Sequence, residues 1–195
     1  MDPFSKGGKG IYEVRWHGRG GQGAVTSAQI LAEAAYYHGY QGVTAAPYFG
    51  AERRGAPVTA TTRFSVETIR IYSEVETPDV VVVLDETLLK AGDVTHGLSE
   101  GGWLIVNSSR RPGEIGVEGG FDIATADATR ISQELGLVVA GVAVVNTPIL
   151  GAFLRATGLL SLESIWQAIK GKFSAVDADR NFRAVKLTFE RTLLK

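Results

Sequence analysis

An uninterrupted apolar run, Val80–Leu84, most constrains the fold of this chain. Asp79 precedes the run and Asp85 follows it. Four consecutive valines favour a β-strand. A strand that is apolar on both faces requires a sheet covered on both sides, and such sheets are mostly parallel because helical crossovers supply the cover. The run therefore predicts a buried strand of a parallel sheet in an α/β protein.

Further strands and helices are predicted to alternate along the chain. The predicted strands cover residues 11–16, 42–46, 58–66, 103–107 and 119–126, and residues 69–72 are expected to return as the hairpin partner of 58–66. The predicted helices cover residues 24–37, 127–135, 147–157, 161–173 and 177–194, with Gly39 as a helix stop and Ser161 as an N-cap. Residues 137–145 fit a strand and a buried helix equally well.

This alternation favours an α/β fold with a single doubly wound, mostly parallel sheet. An antiparallel hairpin portion and flanking helices complete the expected architecture. The Gly/Lys-rich residues 1–10 are expected to form a flexible N-terminal lead-in, and residues 11–195 a single domain. The length of the chain is sufficient for one sizeable core.

The composition limits the chemistry that the chain performs. It contains no cysteine, which excludes disulfides, thiolate nucleophiles and iron–sulfur ligation by this chain. Twenty basic and twenty-one acidic residues give a formal charge of −1, so no strong field attracts nucleic acid or an anionic membrane. The three histidines are too widely separated to predict a metal site. Without a signal-like or bilayer-spanning segment, a cytoplasmic location is expected.

A glycine-rich turn follows the first predicted strand and precedes the first predicted helix. It matches the G-x-G-x-x-G dinucleotide fingerprint in its expected context. Glycines let phosphate oxygens approach the backbone, the helix N-terminus offers N–H donors, and an arginine adds a charge-assisted contact. The turn is therefore predicted to bind an anionic group. Its residues are Gly18, Arg19, Gly20, Gly21, Gln22 and Gly23.

Two alternatives remain open for this turn. A freestanding nicotinamide- or flavin-binding oxidoreductase would use the same fingerprint, but it needs an acidic residue about 20 positions later to hold a ribose hydroxyl. Here the second predicted strand ends in Ala45 and Ala46, and Glu33 lies inside the first predicted helix. The other alternative is that the glycines only allow the helix to pack closely on the strand.

An arginine-bearing loop, residues 47–57, follows the second predicted strand. Its candidate functional residues are Tyr48, Glu52, Arg53 and Arg54. Ligands of open α/β sheets collect beyond the carboxyl ends of the strands, and adjacent arginines bind carboxylates, phosphates or a partner surface. A surface loop in which Glu52 neutralises one arginine explains the same residues. These residues alone favour neither hypothesis.

Together, the two motifs make the chain resemble the gamma subunit of pyruvate:ferredoxin and related 2-oxoacid:ferredoxin oxidoreductases. The resemblance rests on His17–Ala24 and Glu52–Val58. The segments Asp79–Asp85 and Asn146–Gly151 also look like the corresponding family segments. The resemblance covers most of the chain, roughly residues 12–168, and the first two motifs in combination are specific.

The resemblance implies an assembly that converts a 2-oxoacid, coenzyme A and oxidised ferredoxin to an acyl-CoA, carbon dioxide and reduced ferredoxin. It implies alpha-, beta- and delta-type partner subunits, which carry thiamine diphosphate, Mg²⁺ and [4Fe-4S] clusters. The gamma chain is then expected to bind none of these cofactors and to be inactive alone. The form of Glu52–Pro57 looks like that of the pyruvate and branched-chain groups, which favours pyruvate.

The resemblance also suggests roles for the two motifs. We expect the turn Gly18–Gly23 to receive a phosphate of coenzyme A, with Arg19 as a ligand. We expect the loop from Tyr48 to Pro57 to face the catalytic subunits and to help close the active site. Both expectations depend on the two loops lying at the same edge of the sheet.

Overall fold

A seven-stranded sheet organises the chain. The structure, a computed structural model, describes residues 10–48, 55–71, 73–91 and 93–195. The strands are β1 (Tyr12–Arg19), β2 (Gly42–Tyr48), β3 (Pro57–Ser65), β4 (Val80–Val83), β5 (Trp103–Asn107), β6 (Asp122–Ala126), β7 (Val138–Val139), β8 (Val142–Ala143) and β9 (Leu193–Leu194). The helices are α1 (Ala24–His38), α2 (Leu88–Ala91), α3 (Ala128–Glu134), α4 (Ile149–Thr157), α5 (Leu162–Lys172) and α6 (Ala175–Arg191), and a 3₁₀ turn covers Pro112–Glu114. The predicted lead-in lies outside the described residues apart from Gly10.

The strand order in the sheet is β2-β3-β1-β4-β5-β6-β9. β1, β4, β5 and β6 pair in parallel. β3 is antiparallel to β1 and to β2, and β9 is antiparallel to β6. Five of these seven strands therefore point in one direction. The predicted α/β fold with a mostly parallel sheet and an antiparallel portion is confirmed.

The valine run lies in β4 and is buried on both faces of the sheet. Val80 and Val82 belong to the main core, to which α1, α4, α5 and α6 contribute. Val81 and Val83 belong to a second cluster, which includes Leu88 of α2. The long helices thus cover one face, and short elements and loops cover the other. No helix in the described ranges is long and apolar enough to cross a membrane.

The predicted hairpin partner at residues 69–72 is wrong. Both edges of β3 are already hydrogen-bonded, to β1 and to β2, so no edge is free for another strand. Between β3 and β4, the described residues contain no strand. Instead, Arg63 Nη2 donates to the carbonyl of Ser73 at 2.7 Å, and Arg15 Nη1 donates to that of Val75 at 3.4 Å. Arginine side chains hold this crossover in place of a strand ladder.

Two other segments near the C-terminus were open or differ from expectation. The last helix ends at Arg191 rather than at residue 194, because Leu193 and Leu194 pair with the free edge of β6. Residues 137–145, for which a strand and a helix were both open, contain the short hairpin of β7 and β8. Ser161 caps α5 as predicted, since its side chain accepts from Ser164 N at 3.1 Å.

α4 and α6 approach each other most closely at Gly151. A Cβ atom there would lie 2.1 Å from the carbonyl oxygen of Val185 and 2.7 Å from the backbone nitrogen of Phe189. Both neighbours are backbone atoms of α6, so a side-chain rotation cannot relieve the overlap. The packing of the two helices therefore requires glycine at this position.

His17 and Arg15 form a buried polar pair on the face of β1 opposite the main core. Arg15 Nε donates to His17 Nε2 at 3.1 Å, and Arg15 Nη2 donates to the carbonyls of Val94 and His96. Burial, and to a smaller degree the charge of Arg15, lowers the pKa of His17 to about 4. His17 is therefore neutral at pH 7. Because Nε2 accepts a hydrogen bond, the ring proton lies on Nδ1.

We predict that Gly151→Ala destabilises the chain by about 1–3 kcal/mol, the usual cost of overpacking a core. Gly171→Ala is the matched control, because Gly171 also lies in a helix and a Cβ atom there meets nothing within 4 Å. That control should be neutral or stabilising by up to about 1 kcal/mol, since alanine is the better helix former. Urea denaturation of the purified chains measures both. Equal stabilities of the two variants would contradict the close packing at Gly151.

We predict that the stability of the chain decreases between pH 6.5 and pH 4 in part through His17. The unfolded chain binds a proton at this imidazole near its ordinary pKa of 6.5, whereas the folded chain binds it only near pH 4. The loss should approach about 3 kcal/mol at pH 4. His17→Gln should flatten this slope, because glutamine does not titrate. His96→Gln, at an exposed site, should keep the parent slope. The measurement is the free energy of unfolding as a function of pH.

Candidate functional site

The glycine turn lies at the carboxyl edge of the parallel strands. β1 continues through Gly18 and Arg19, beyond its predicted end, because these residues pair with Val58 and Pro57 of β3. α1 begins at Ala24, directly after the turn. The turn therefore connects the first strand to the first helix, which is the context that the fingerprint requires.

Gly23 is required by a close contact at the start of α1. Its φ of 83° is in the left-handed region, and a Cβ atom would lie 2.6 Å from Asn146 Nδ2. Ser27 Oγ donates to the carbonyls of Gly23 and Asn146, at 3.1 and 2.9 Å. Close packing thus explains this glycine without a ligand. Sequence reasoning gave Asn146 no role, although its Asn-Thr-Pro segment before α4 belonged to the family resemblance.

Gln22 fills the inside of the turn. Its Oε1 accepts from the backbone N–H of Arg19 at 2.7 Å, and its Nε2 donates to Asp85 Oδ2 at 3.0 Å. The N–H of Gly20 donates to the carbonyl of Ala56 at 2.8 Å. Two N–H groups of the turn therefore already have acceptors within the chain. Less of the phosphate cradle is open than the fingerprint alone predicts.

Arg19 is fastened to the end of β4. Its Nε lies 3.1 Å from Asp85 Oδ2, its Nη2 donates to Thr87 Oγ1 at 2.8 Å, and its Nη1 donates to the carbonyl of Gly55 at 3.2 Å. Burial raises the pKa of Asp85, but hydrogen bonds from Thr87 and Gln22 and the charge of Arg19 outweigh it. The net pKa is below its ordinary value. Asp85 is therefore ionised and offsets the charge of Arg19 at neutral pH.

The two ends of the arginine-bearing loop lie at the same edge as the turn. β2 runs parallel to β1 and ends at Tyr48, and β3 begins at Pro57. The N–H of Gly55 donates to the carbonyl of Gly20 at 3.3 Å, which completes a two-way backbone link with the bond from Gly20 N to Ala56 O. Residues 55 and 56 are thus joined directly to the glycine turn.

Only one of the four candidate residues of this loop is among the described residues. The Tyr48 side chain is about half exposed, and its hydroxyl donates to Glu74, a hydrogen bond that raises the pKa of Tyr48. Glu52, Arg53 and Arg54 lie outside the described residues. Their contacts remain a prediction.

Two openings flank the turn. A groove of about 380 Å³ extends past the ends of β4, β5 and β6, and carboxylates of Asp85, Glu86 and Asp127 border it. These charges oppose the binding of an anion in the groove. A smaller cavity of about 190 Å³ lies on the other side and is mostly apolar, lined by His17, Gly18, Pro57, Val58, Leu88, Asp93 and Val94. Within the four described ranges, no group of three metal-ligating side chains converges.

The strand order argues against the dinucleotide-binding alternative. In that unit, the second strand lies parallel beside the first and carries the ribose-binding acid at its end. Here the antiparallel β3 occupies the place beside β1, and β2 is displaced to the edge of the sheet. β2 also ends in Pro47 and Tyr48 rather than in an acid. The glycine fingerprint therefore occurs here without the rest of the dinucleotide site.

Comparisons with known proteins agree on one family. The family described as pyruvate ferredoxin/flavodoxin oxidoreductase matches residues 13–191. The pyruvate/ketoisovalerate oxidoreductases common subunit gamma of Thermococcus litoralis is 48% identical over 187 residues, which cover 94% of this chain and 98% of the relative. The pyruvate synthase subunit PorC of Methanocaldococcus jannaschii is 42% identical over 185 residues, which cover 95% and 99%.

A solved structure agrees with this assignment. The crystal structure of the pyruvate oxidoreductase subunit PORC of Thermotoga maritima superposes with a TM-score of 0.81 at 40% sequence identity, covering 96% of this chain and 99% of that chain. The alternative of a freestanding nicotinamide or flavin enzyme receives no support from these comparisons. The match extends over nearly the whole chain and includes both motifs of the carboxyl edge. The chain therefore belongs to the pyruvate ferredoxin/flavodoxin oxidoreductase family, as a subunit of its gamma type.

Proposed function

We propose that the chain is the gamma-type subunit of an assembly that oxidises a 2-oxoacid, with pyruvate as the favoured substrate. The assembly uses coenzyme A, releases carbon dioxide and passes two electrons to ferredoxin, so that an acyl-CoA is formed. The names of the relatives, which refer to pyruvate and ketoisovalerate, support this substrate class. The Glu52–Pro57 segment supports it independently. A cytoplasmic location is part of the proposal.

One observation carries the proposed role of this subunit within the assembly. The glycine turn and residues 55 and 56 of the loop are linked in both directions by backbone hydrogen bonds, between Gly20 and Ala56 and between Gly55 and Gly20. A ligand held at the turn is therefore also beside the loop. We infer that the turn binds a phosphate of coenzyme A next to Arg19, whose side chain is one-third exposed, and that the loop faces the catalytic subunits.

The cofactors of the reaction belong to the partner subunits in this proposal. The chain has no cysteine, so it offers no thiolate to a [4Fe-4S] cluster. Among the residues that the structure describes, no acidic cluster is arranged for Mg²⁺ and the diphosphate that it accompanies. Alpha-, beta- and delta-type partners are therefore expected to supply thiamine diphosphate, Mg²⁺ and the clusters. These groups carry out the decarboxylation and the electron transfer.

We predict that Arg19→Gln raises the KM for coenzyme A about tenfold and leaves the KM for pyruvate unchanged. The loss of one charge-assisted hydrogen bond to a phosphate accounts for a factor of this size. Asp85→Asn should have the opposite effect and lower the KM for coenzyme A, because the carboxylate that competes for Arg19 is gone. Steady-state kinetics of the purified assembly measures these constants.

The matched control for Arg19 is Arg183→Gln, which removes an exposed arginine from α6. Its KM for coenzyme A should equal that of the parent. If Arg19→Gln and Arg183→Gln are indistinguishable, the phosphate does not bind at the turn.

We predict that the tagged chain, isolated under native conditions, carries partner subunits that contain iron and thiamine diphosphate. Arg53→Gln should reduce the recovery of these partners roughly fivefold at raised ionic strength, because it weakens a charged contact between the chains. Arg70→Gln is the matched control, since this arginine is exposed after β3. The measurement is the subunit and metal content of the isolated complex. Oxidation of pyruvate by the purified chain alone would refute the subunit role.

A further inference from the structure

The smaller cavity beside the glycine turn has the features of a binding site for a neutral chain. Its volume is about 190 Å³, and most of its wall is apolar, formed by Gly18, Pro57, Val58, Leu88 and Val94. Asp93 is the acidic residue of the lining, and its side chain is largely exposed. An apolar wall favours hydrocarbon and disfavours a charged group that would lose its water.

His17 provides this cavity with a fixed hydrogen-bond donor. Arg15 donates to Nε2 at 3.1 Å, so the ring carries its proton on Nδ1. Arg15 is itself held by the carbonyls of Val75 and Val94, at 3.4 and 3.1 Å. Within the described residues, Nδ1–H has no acceptor, although His17 is mostly buried and lines the cavity. A buried donor without an acceptor is costly, and a ligand oxygen would remove that cost.

The position of the cavity identifies the kind of ligand. Gly18 lines it, and Arg19 is the next residue, so a ligand whose phosphate lies beside Arg19 places its neighbouring group here. In coenzyme A, the group attached to the diphosphate is the pantetheine arm. The arm is narrow and largely hydrocarbon, it carries no charge, and its two amide carbonyls accept hydrogen bonds. The acidic groove on the other side of the turn lacks these apolar walls.

We propose that this cavity binds the pantetheine arm of coenzyme A and that His17 Nδ1–H donates to one of its amide carbonyl oxygens. This role rests on the proposed binding of the phosphate beside Arg19. His17 is then a substrate-binding residue, and Arg15 is a positioning residue that fixes the orientation and the tautomer of the imidazole. The thiol end of the arm extends away from this chain toward the catalytic subunits.

Two substitutions of His17 separate this role from a purely structural one. The amide of Gln reaches the position of Nε2, so His17→Gln keeps an acceptor for Arg15 and removes the donor to the cavity. The amide of Asn lies near the position of Nδ1, so His17→Asn keeps the donor and removes the acceptor for Arg15. We expect His17→Gln to raise the KM for coenzyme A roughly fivefold, the effect of one neutral hydrogen bond, with kcat unchanged. His17→Asn should remain within about twofold of the parent.

Pantetheine is the probe that isolates the arm, because it lacks the phosphates. In the purified assembly it should compete with coenzyme A, and His17→Gln should raise its inhibition constant by the same factor as the KM for coenzyme A. Arg19→Gln should raise the KM for coenzyme A without changing the inhibition by pantetheine. All variants are compared at equal content of assembled complex, so that loss of folding does not enter the constants.

Each outcome separates the cavity from the phosphate site. If Arg19→Gln weakens coenzyme A but His17→Gln does not, the phosphate binds at the turn and the arm lies elsewhere. If His17→Asn is the more damaging variant, His17 acts only by accepting from Arg15. Failure of pantetheine to compete with coenzyme A also overturns the assignment of the arm. If neither His17→Gln nor Arg19→Gln changes the KM for coenzyme A, the proposed coenzyme A site fails as well.

Discussion

The ion pair between Arg19 and Asp85 is the interaction on which the carboxyl edge of the sheet depends. It joins the end of β1 to the end of β4 at 3.1 Å. The same carboxylate accepts from Gln22, whose Oε1 holds the backbone N–H of Arg19. One buried carboxylate thus determines the shape of the turn from inside. Because it also offsets the charge of Arg19, an anion at this place must be recognised by hydrogen-bond geometry more than by net charge.

This balance gives the edge a direction. On one side of the turn, three carboxylates border the larger groove, and they repel an anion there. On the other side lies an apolar cavity with a single fixed imidazole donor, His17. A ligand that has a phosphate followed by a neutral, amide-bearing arm fits this polarity in only one orientation. The two unlike sides of the turn would therefore orient coenzyme A before any partner chain contacts it.

The sequence predicted those features that depend on local pattern. The run Val80–Val83 identified a strand buried on both faces, and Ser161 identified a helix start. It failed where a distant segment competed for the same backbone. Residues 69–72 cannot pair with β3 because β1 and β2 already occupy both of its edges. The contacts of Asp85 and Asn146 were likewise not predictable, because each joins the turn to a segment far away in the sequence.

The chemistry available at this edge explains why a gamma-type chain works within an assembly. An imidazole with a pKa of about 4, such as His17, is protonated in only about one molecule in a thousand at pH 7, so it donates a hydrogen bond but does not relay protons. Asp85 is held as an ion pair, and the chain has no thiol. These groups bind and orient a substrate. The groups that break carbon–carbon bonds and accept electrons must then come from a second chain, and the loop from Tyr48 to Pro57, at the same edge, is where we expect that chain to be met.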